Sequence, residues 1–392
     1  MLFRASTLRW LPLAIMVTPP AVLMMPQTQL HAQVTIRIAT YNASLFGKQA
    51  GEIRQRLLDG NDRQAEKVAA IVQTIRPDVL LINEIDYDAD GETANLLAEK
   101  YFAKAQGDRD PIEYPWIFAV PSNTGIDSGL DLNRSGRGGE PHDAWGYGLY
   151  PGQYSMAVYS RFPINQENIR TFQQFRWKEM PGALRPIDPK TNQFYYDDST
   201  WNALRLSSKN HVDIPFSIGQ QTLHLAVSHP TPPVFDGDED RNGCRNHDEI
   251  RFWNDYLSGP TSTHLVDDQG NQGGLPSNAL IVIAGDLNAD PSDGDGQRQA
   301  IRTLLDHPRL QDPNPASEGA VESKIDGDDA GDPRNDTASF GRNVNMRVDY
   351  VLPCRSLVLK AAGVFWPVRS DPDQPLISAS DHRMVWIEVE IP

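Results

Sequence analysis

Apolar residues along this chain come in short runs, and four of them stop on a polar residue. The runs 34–42, 78–84, 222–229 and 281–288 end at Asn42, Glu84, His229 and the pair Asp286 and Asn288. Unbroken aliphatic runs of this length predict strands covered on both faces, whereas strict alternation would predict one wet face. Between the first two runs Ala65, Val68, Ala69, Val72 and Ile75 recur at helical spacing, and Pro77 closes the pattern. Further strands are expected at 116–120, 154–159 and 172–177, and around Val348, Leu357 and Met384. Residues 212–218 and 222–227, separated by Gly219 and Gln220, read as a hairpin. Helical spacing returns at 93–105, 246–257 and 297–305. The alternation predicts a layered, mixed α/β build. Residues 122–153 break into Gly, Asp, Asn and Arg, and a loop that long is expected to be a solvated connection, a lid or a substrate-reading loop.

The polar residues at the run ends carry the candidate chemistry. Asp286 and Asn288 lie two apart where a strand ends, so they leave it on the same side, and Gly285 lets the backbone bend. A carboxylate is a hard oxygen donor for Mg²⁺ or Mn²⁺, and an amide can bond a phosphoryl oxygen without adding repulsive charge. An Asx turn explains the same residues equally well. Asp349 sits inside the run 346–352, where a charge is costly unless paired. Asp381 and His382 stand just before the last strand.

Asn42, Glu84, His229, the Gly-Asp-x-Asn of 285–288, Asp349 and the Ser-Asp-His of 380–382 resemble, in this order, the endonuclease/exonuclease/phosphatase superfamily. That group holds pancreatic-type deoxyribonucleases, abasic-site endonucleases, neutral sphingomyelinases and inositol polyphosphate 5-phosphatases. The resemblance runs from about Val34 to Ile391. It implies a four-layer α-β-β-α sandwich of two mixed sheets with outer helices, and a metal-dependent hydrolase that attacks a phosphodiester or phosphomonoester in line with water. It assigns Glu84 to the metal, with Asn42 and Asp381 holding the ion or its waters. Asp286 would orient or deprotonate the attacking water, Asn288 and His229 would bind phosphate, and His382 would stabilise developing charge. Asp349, by fixing and charging His382, would complete a dyad. The segment 230–243 resembles a less characterised bacterial branch, so no substrate carries over from the well-known members.

Composition narrows the picture. At 392 residues with no linker-like tract, one large domain over 33–392 is expected. Arg4 and Arg9, the apolar stretch 10–25 and Ala32 predict a cleaved signal peptide over 1–32 and a secreted or periplasmic protein; a retained anchor is the alternative. After cleavage no membrane span and a monomer are expected. The formal charge of −16 would become −18 once two arginines and no acid are removed. That acidity argues against a nonspecific grip on nucleic acid and favours a small or lipid-linked phosphoester, with a secreted nuclease and a silent binding protein as alternatives. Cys244 and Cys354 are the only cysteines and could form a disulfide. Asp238, Asp240, Asn242, Gly243 and Glu249 satisfy EF-hand spacing, so an auxiliary Ca²⁺ site or a helix-capping loop is open there. Arg134, Arg137, Arg241 and Arg245 are candidate loop cations for a phosphorylated ligand.

Overall fold

The computed structural model describes residue 2 and residues 34–324, 330–341 and 344–392. The expected signal peptide therefore lies outside the described residues, and the folded unit is Val34–Pro392. Eleven strands build two sheets. In chain order they are β1 (Val34–Leu45), β2 (Val79–Ile85), β3 (Trp116–Val120), β4 (Ser155–Ser160), β5 (Arg170–Thr171), β6 (His211–Ile218), β7 (Gln221–Ser228), β8 (Leu280–Asp286), β9 (Asp349–Pro353), β10 (Val358–Val364) and β11 (Val385–Ile391). One sheet has the order β10-β11-β1-β2-β4-β3 and the other β9-β8-β7-β6-β5. Both are mixed: β1 runs parallel to β2 and antiparallel to β11, and β8 runs parallel to β7 and antiparallel to β9.

The unbroken apolar runs are explained by burial on both faces. On β1 and β2, Ile36, Ile38, Val79 and Leu81 enter one core together with Val212, Ile214 and Leu225 of the second sheet. Their alternates Ala39, Tyr41, Leu80 and Ile82 enter another, against Ala65, Val68, Ala69 and Val72 of the helix Arg63–Ile75. Asp62 caps that helix by accepting from the N–H groups of Gln64 and Ala65. On the second sheet's side the helix Arg241–Leu257 contributes Ile250, Phe252 and Trp253 to the first core. Helix, sheet, sheet and helix are the expected four-layer order.

Two expected elements differ locally, and two alternatives left open by the sequence are decided. Residues 172–177 hold no strand, because β5 ends at Thr171 and a 3-10 turn starts at Trp177. The helix near 93–105 is α-helical only over Glu92–Leu97 and continues as a π-helical turn. The EF-hand spacing is not a calcium loop, since Asn242, Gly243 and Glu249 lie within the helix Arg241–Leu257. Glu249 spends both carboxylate oxygens on the backbone N–H groups of Ser208 and Thr231. Both cysteines are free thiols. Among the described residues no helix is long and apolar enough to cross a membrane.

Candidate active site

The polar run ends meet where the two sheets abut. Bulges in both β1, between Asn42 and Leu45, and β2, between Asn83 and Ile85, interrupt the ladder at the same level. Glu84 sits at the second bulge with φ 58° and Asn288 follows β8 with φ 50°. Left-handed backbone is tolerated by asparagine but costs a glutamate, and such strain concentrates where a side chain must be aimed. At Gly285 the requirement is close approach rather than a bend: a Cβ there would lie 2.0 Å from the Ser228 carbonyl oxygen of β7.

Asp286 Oδ2 is the centre of the cluster. It accepts a 3.0 Å hydrogen bond from Asn42 Nδ2, and lies 3.4 Å from His229 Nε2 and 3.7 Å from His382 Nε2. Its other oxygen accepts the backbone N–H of Asn288 at 2.9 Å, while Asn288 Nδ2 donates to the Pro230 carbonyl. Glu84 Oε1 stands 4.0 Å from His229 Nε2. Asp349 faces Asp286 directly across the antiparallel pair β8/β9. Two like charges opposed on neighbouring strands repel, and His382 relieves this by donating from Nδ1 to Asp349 Oδ2 at 2.9 Å. Asp349 Oδ2 also accepts from the Thr337 hydroxyl, which in turn accepts the N–H groups of Val348 and Asp349.

Electrostatics follow from that geometry. Burial pushes the carboxyls of Glu84 and Asp286 above the usual range, and their like-charged neighbours add to it. For His382 burial alone would favour the neutral ring. Asp349 and Asp286 outweigh it and raise the imidazole pKa to about 10. Burial, with Lys209 and His382 nearby, pushes His229 well down, so this ring is neutral and its Nε2 can act as a ligand. Buried carboxylates with raised pKa beside a neutral imidazole form a pocket that favours a cation. One ligand atom each from Glu84, His229 and Asp286 all lie within 4.8 Å of one another, as do those from Asp286, Asp349 and His382. The oxygen-rich first group suits a hard divalent ion.

A cavity of about 730 Å³ opens on this cluster and is lined by Glu84, Asp286, Asn288, Asp381 and His382. Asp381 faces it from outside the tight cluster, accepting from Ser44 Oγ at 3.1 Å. The four candidate arginines are not free. Arg137 pairs with Glu140, Arg241 with Glu239, and Arg134 lies over the Tyr195 ring. Arg245, on the helix rather than a loop, donates to the carbonyls of Trp145, Arg205 and Leu206.

The sequence profile of the Endonuclease/Exonuclease/phosphatase family matches residues 39–382, which spans every one of these side chains. The chain belongs to that family. Its members hydrolyse phosphoester bonds. Among solved structures, an endonuclease/exonuclease/phosphatase from Beutenbergia cavernae aligns at 16% identity with a TM-score of 0.50, over 91% of this chain and 72% of that one. A family protein from Leptotrichia buccalis aligns at 14% and 0.48, over 91% and 100%. Sphingomyelinase C from Streptomyces griseocarneus aligns at 15% and 0.43, over 91% and 99%. These likenesses concern the fold. No curated protein matches the sequence.

Two residues beside this cluster escape sequence reading. Thr337 gives no periodic signal because it lies in an irregular segment, although it fixes Asp349. Lys209 is buried beside the cluster, and its ammonium makes a single 3.5 Å contact with the Pro230 carbonyl. The polar stretch 207–210 ahead of β6 was its only visible sign.

Proposed function

We propose that this chain is an exported, divalent-metal-dependent phosphoesterase acting on a small or lipid-linked phosphoester. The carrying observation is the convergence of Asn42, His229 and His382 on one oxygen of Asp286, with Glu84 alongside. Glu84, Asp286 and the neutral His229 would hold Mg²⁺ or Mn²⁺, with Asn42 and Asp381 supporting them; the bound ion would neutralise phosphoryl charge. Asp286 orients the attacking water and takes its proton. His382, charged and held by Asp349, donates to a phosphoryl oxygen as negative charge develops there. Asn288 presents its amide beside the same carboxylate.

Acidity supports the small-substrate preference. Replacing counterions along a polyanion needs free cations, whereas the four candidate arginines are paired or stacked. Export rests on the leader-like residues 1–32. The test is a screen of the purified chain on DNA, RNA, phosphomonoesters, phosphodiesters and phospholipids at physiological salt. Turnover should vanish with chelator, return with Mg²⁺ or Mn²⁺, and be more efficient on a small or lipid-linked phosphoester than on plasmid DNA. Full turnover by metal-free protein would refute the metal role. Plasmid degradation without any small-ester turnover would make the chain a nuclease.

A further inference from the structure

The helix Arg241–Leu257 presents three buried residues, Asn246, Glu249 and Trp253, at spacings of three and four, so they share one face. Each uses a polar atom on the loops that carry the site. Trp253 Nε1 donates to Ser228 Oγ at 2.8 Å, one residue before His229. Glu249 accepts the N–H groups of Ser208 and Thr231, both at 2.6 Å, one on each carboxylate oxygen. Asn246 Nδ2 donates to the Thr231 carbonyl at 2.9 Å and to the Leu287 carbonyl at 3.0 Å. Thr231 is therefore gripped at both its N–H and its C=O, two residues after His229, and Leu287 is gripped between Asp286 and Asn288.

This grip matters because His229 lacks one of its own. His382 is oriented through Nδ1 by Asp349, but His229 Nδ1 is buried without a hydrogen-bond partner among the described residues. A histidine that ligates a metal ordinarily donates from its second nitrogen to a fixed acceptor, which sets the ring. Without that bond, the ring's place depends on its packing and on where the backbone at 229–231 stands. One amide, Asn246, fixes that backbone relative to the turn after β8, and one carboxylate, Glu249, fixes it relative to the segment 207–210 ahead of β6. Bonds from backbone N–H groups to a carboxylate are the strong kind. Both side chains are costly to bury, since Asn246 Oδ1 has no partner and Glu249 is charged, with Lys209 and Arg245 attracted to it.

We propose that Asn246 and Glu249 are positioning residues of the site. Acting through the backbone of 229–231 and of Leu287, they set how far His229 stands from Asp286 and Glu84. Their effect on turnover rests on the phosphoesterase reading, whereas their effect on the His229 ring does not. The calcium-loop spacing that includes Glu249 then marks a scaffold for the site in place of an ion ligand. Gln73 provides the matching case away from the site. It is a buried amide of the helix Arg63–Ile75, and its Nε2 donates to the Phe102 and Lys104 carbonyls at 2.9 and 2.6 Å. Its loss should weaken the fold in the same way and leave His229 alone.

The test uses the full chain with isotope-labelled histidine, metal-free and near neutral pH, where burial keeps His229 uncharged. The His229 Cε1–Hε1 resonance is identified by its loss in His229→Gln. Asn246→Ala removes one grip, and Glu249→Gln keeps one acceptor while turning an NH₂ against the other N–H. Each should shift or split the His229 resonance, whereas Gln73→Ala should not, with urea midpoints showing how much stability each variant loses. Mn²⁺-supported kinetics on bis(p-nitrophenyl) phosphate follow. In both site variants kcat should fall about tenfold or more with KM nearly unchanged, and Asn246→Ala should add less than about twofold to the loss in His229→Gln. Should Asn246→Ala not fold, Asn246→Ser and the near-isosteric Glu249→Gln give the same readings. An unmoved His229 resonance in folded variants, or an equal shift in Gln73→Ala, would overturn the proposal. A chain inactive on every phosphoester would refute the catalytic reading, and the metal-free resonance would still decide the positioning.

Discussion

Replacing Asp349 by asparagine tests the dyad with almost no change in volume. In the native site Asp349 is fully buried, accepts His382 Nδ1–H at 2.9 Å and accepts the Thr337 hydroxyl at 2.8 Å. Both bonds end on the same oxygen, Oδ2, so an amide oxygen in its place can still accept from Thr337 and His382, but it brings no negative charge to hold the imidazolium. The ring loses the carboxylate that most raises its pKa, and Nε2 no longer carries a strengthened donor. Truncating one partner of a buried, hydrogen-bonded charge pair costs about 2–5 kcal/mol. At roughly 1.4 kcal/mol per tenfold, kcat/KM should fall by about 10²- to 10³-fold. His382→Ala removes the donor itself and should fall at least as far. The assay is Mn²⁺-supported hydrolysis of bis(p-nitrophenyl) phosphate by both single variants and the double variant, with urea midpoints to confirm that each still folds. If Asp349 acts only through His382, the double variant loses little more than His382→Ala. Multiplication of the two single losses would show independent roles and refute the dyad.

Two further expectations concern stability and its link to the site. Gly285→Ala places a methyl 2.0 Å from the Ser228 carbonyl and must push β7 from β8. It should cost about 1–3 kcal/mol in urea unfolding and lower kcat, because Asp286 and His229 leave those two strands; wild-type values for both would refute the close-packing argument. His211 is held neutral by burial, its pKa lowered to about 4, between Ser207 Oγ and the Glu249 carbonyl, with the Glu249 carboxylate opposing the shift. Its folded pKa lies below the unfolded one, so the unfolded chain binds more protons as pH falls from about 6.5 toward 4, and stability is lost across that window. The loss should reach about 3 kcal/mol and be missing from the pH profile of His211→Gln. Parallel profiles would contradict it.

The sequence revealed the strands and their polar ends because burial on both faces writes an unbroken aliphatic run, as at 79–82 and 281–284, and each such run stops where the core stops. The helix Arg63–Ile75 was legible from the apolar spacing of Ala65 to Ile75 and from Pro77, whereas its Asp62 cap emerged only in the structure. What stayed hidden was set by contacts distant in sequence. Residues 172–176 carry strand-like aromatics, yet Phe172 and Phe175 pack edge-on against Phe252 of a helix rather than beside a neighbouring strand. Asp238, Asp240 and Glu249 have calcium-loop spacing, but spacing says nothing of the helix that Glu249 joins. Thr337 was missed for the same reason, since the Asp349 it bonds lies elsewhere in the chain, and Lys209 because its burial beside the cluster is set by the fold.

Three pairs in the site join the two sheets. Asn42 of β1 reaches Asp286 of β8, Glu84 of β2 faces His229 beyond β7, and His382, just ahead of β11, holds Asp349 of β9. His229 and Asp286 meet within the second sheet, but the three distances that cross are fixed by the apolar layer between the sheets, where Ile36, Ile38 and Leu81 meet Ile214 and Leu225. Close-packed layers deform little without losing contact energy, while the β8/β9 ladder itself holds the opposed carboxylates Asp286 and Asp349 together despite their repulsion. The repulsion is offset inside the site by His382 and Asn42, and a divalent ion against Glu84 would offset it further. Cation binding at this site, as proposed, would draw on repulsion that the fold holds in place, and core substitutions that loosen the sheets should then weaken ion binding before they unfold the chain.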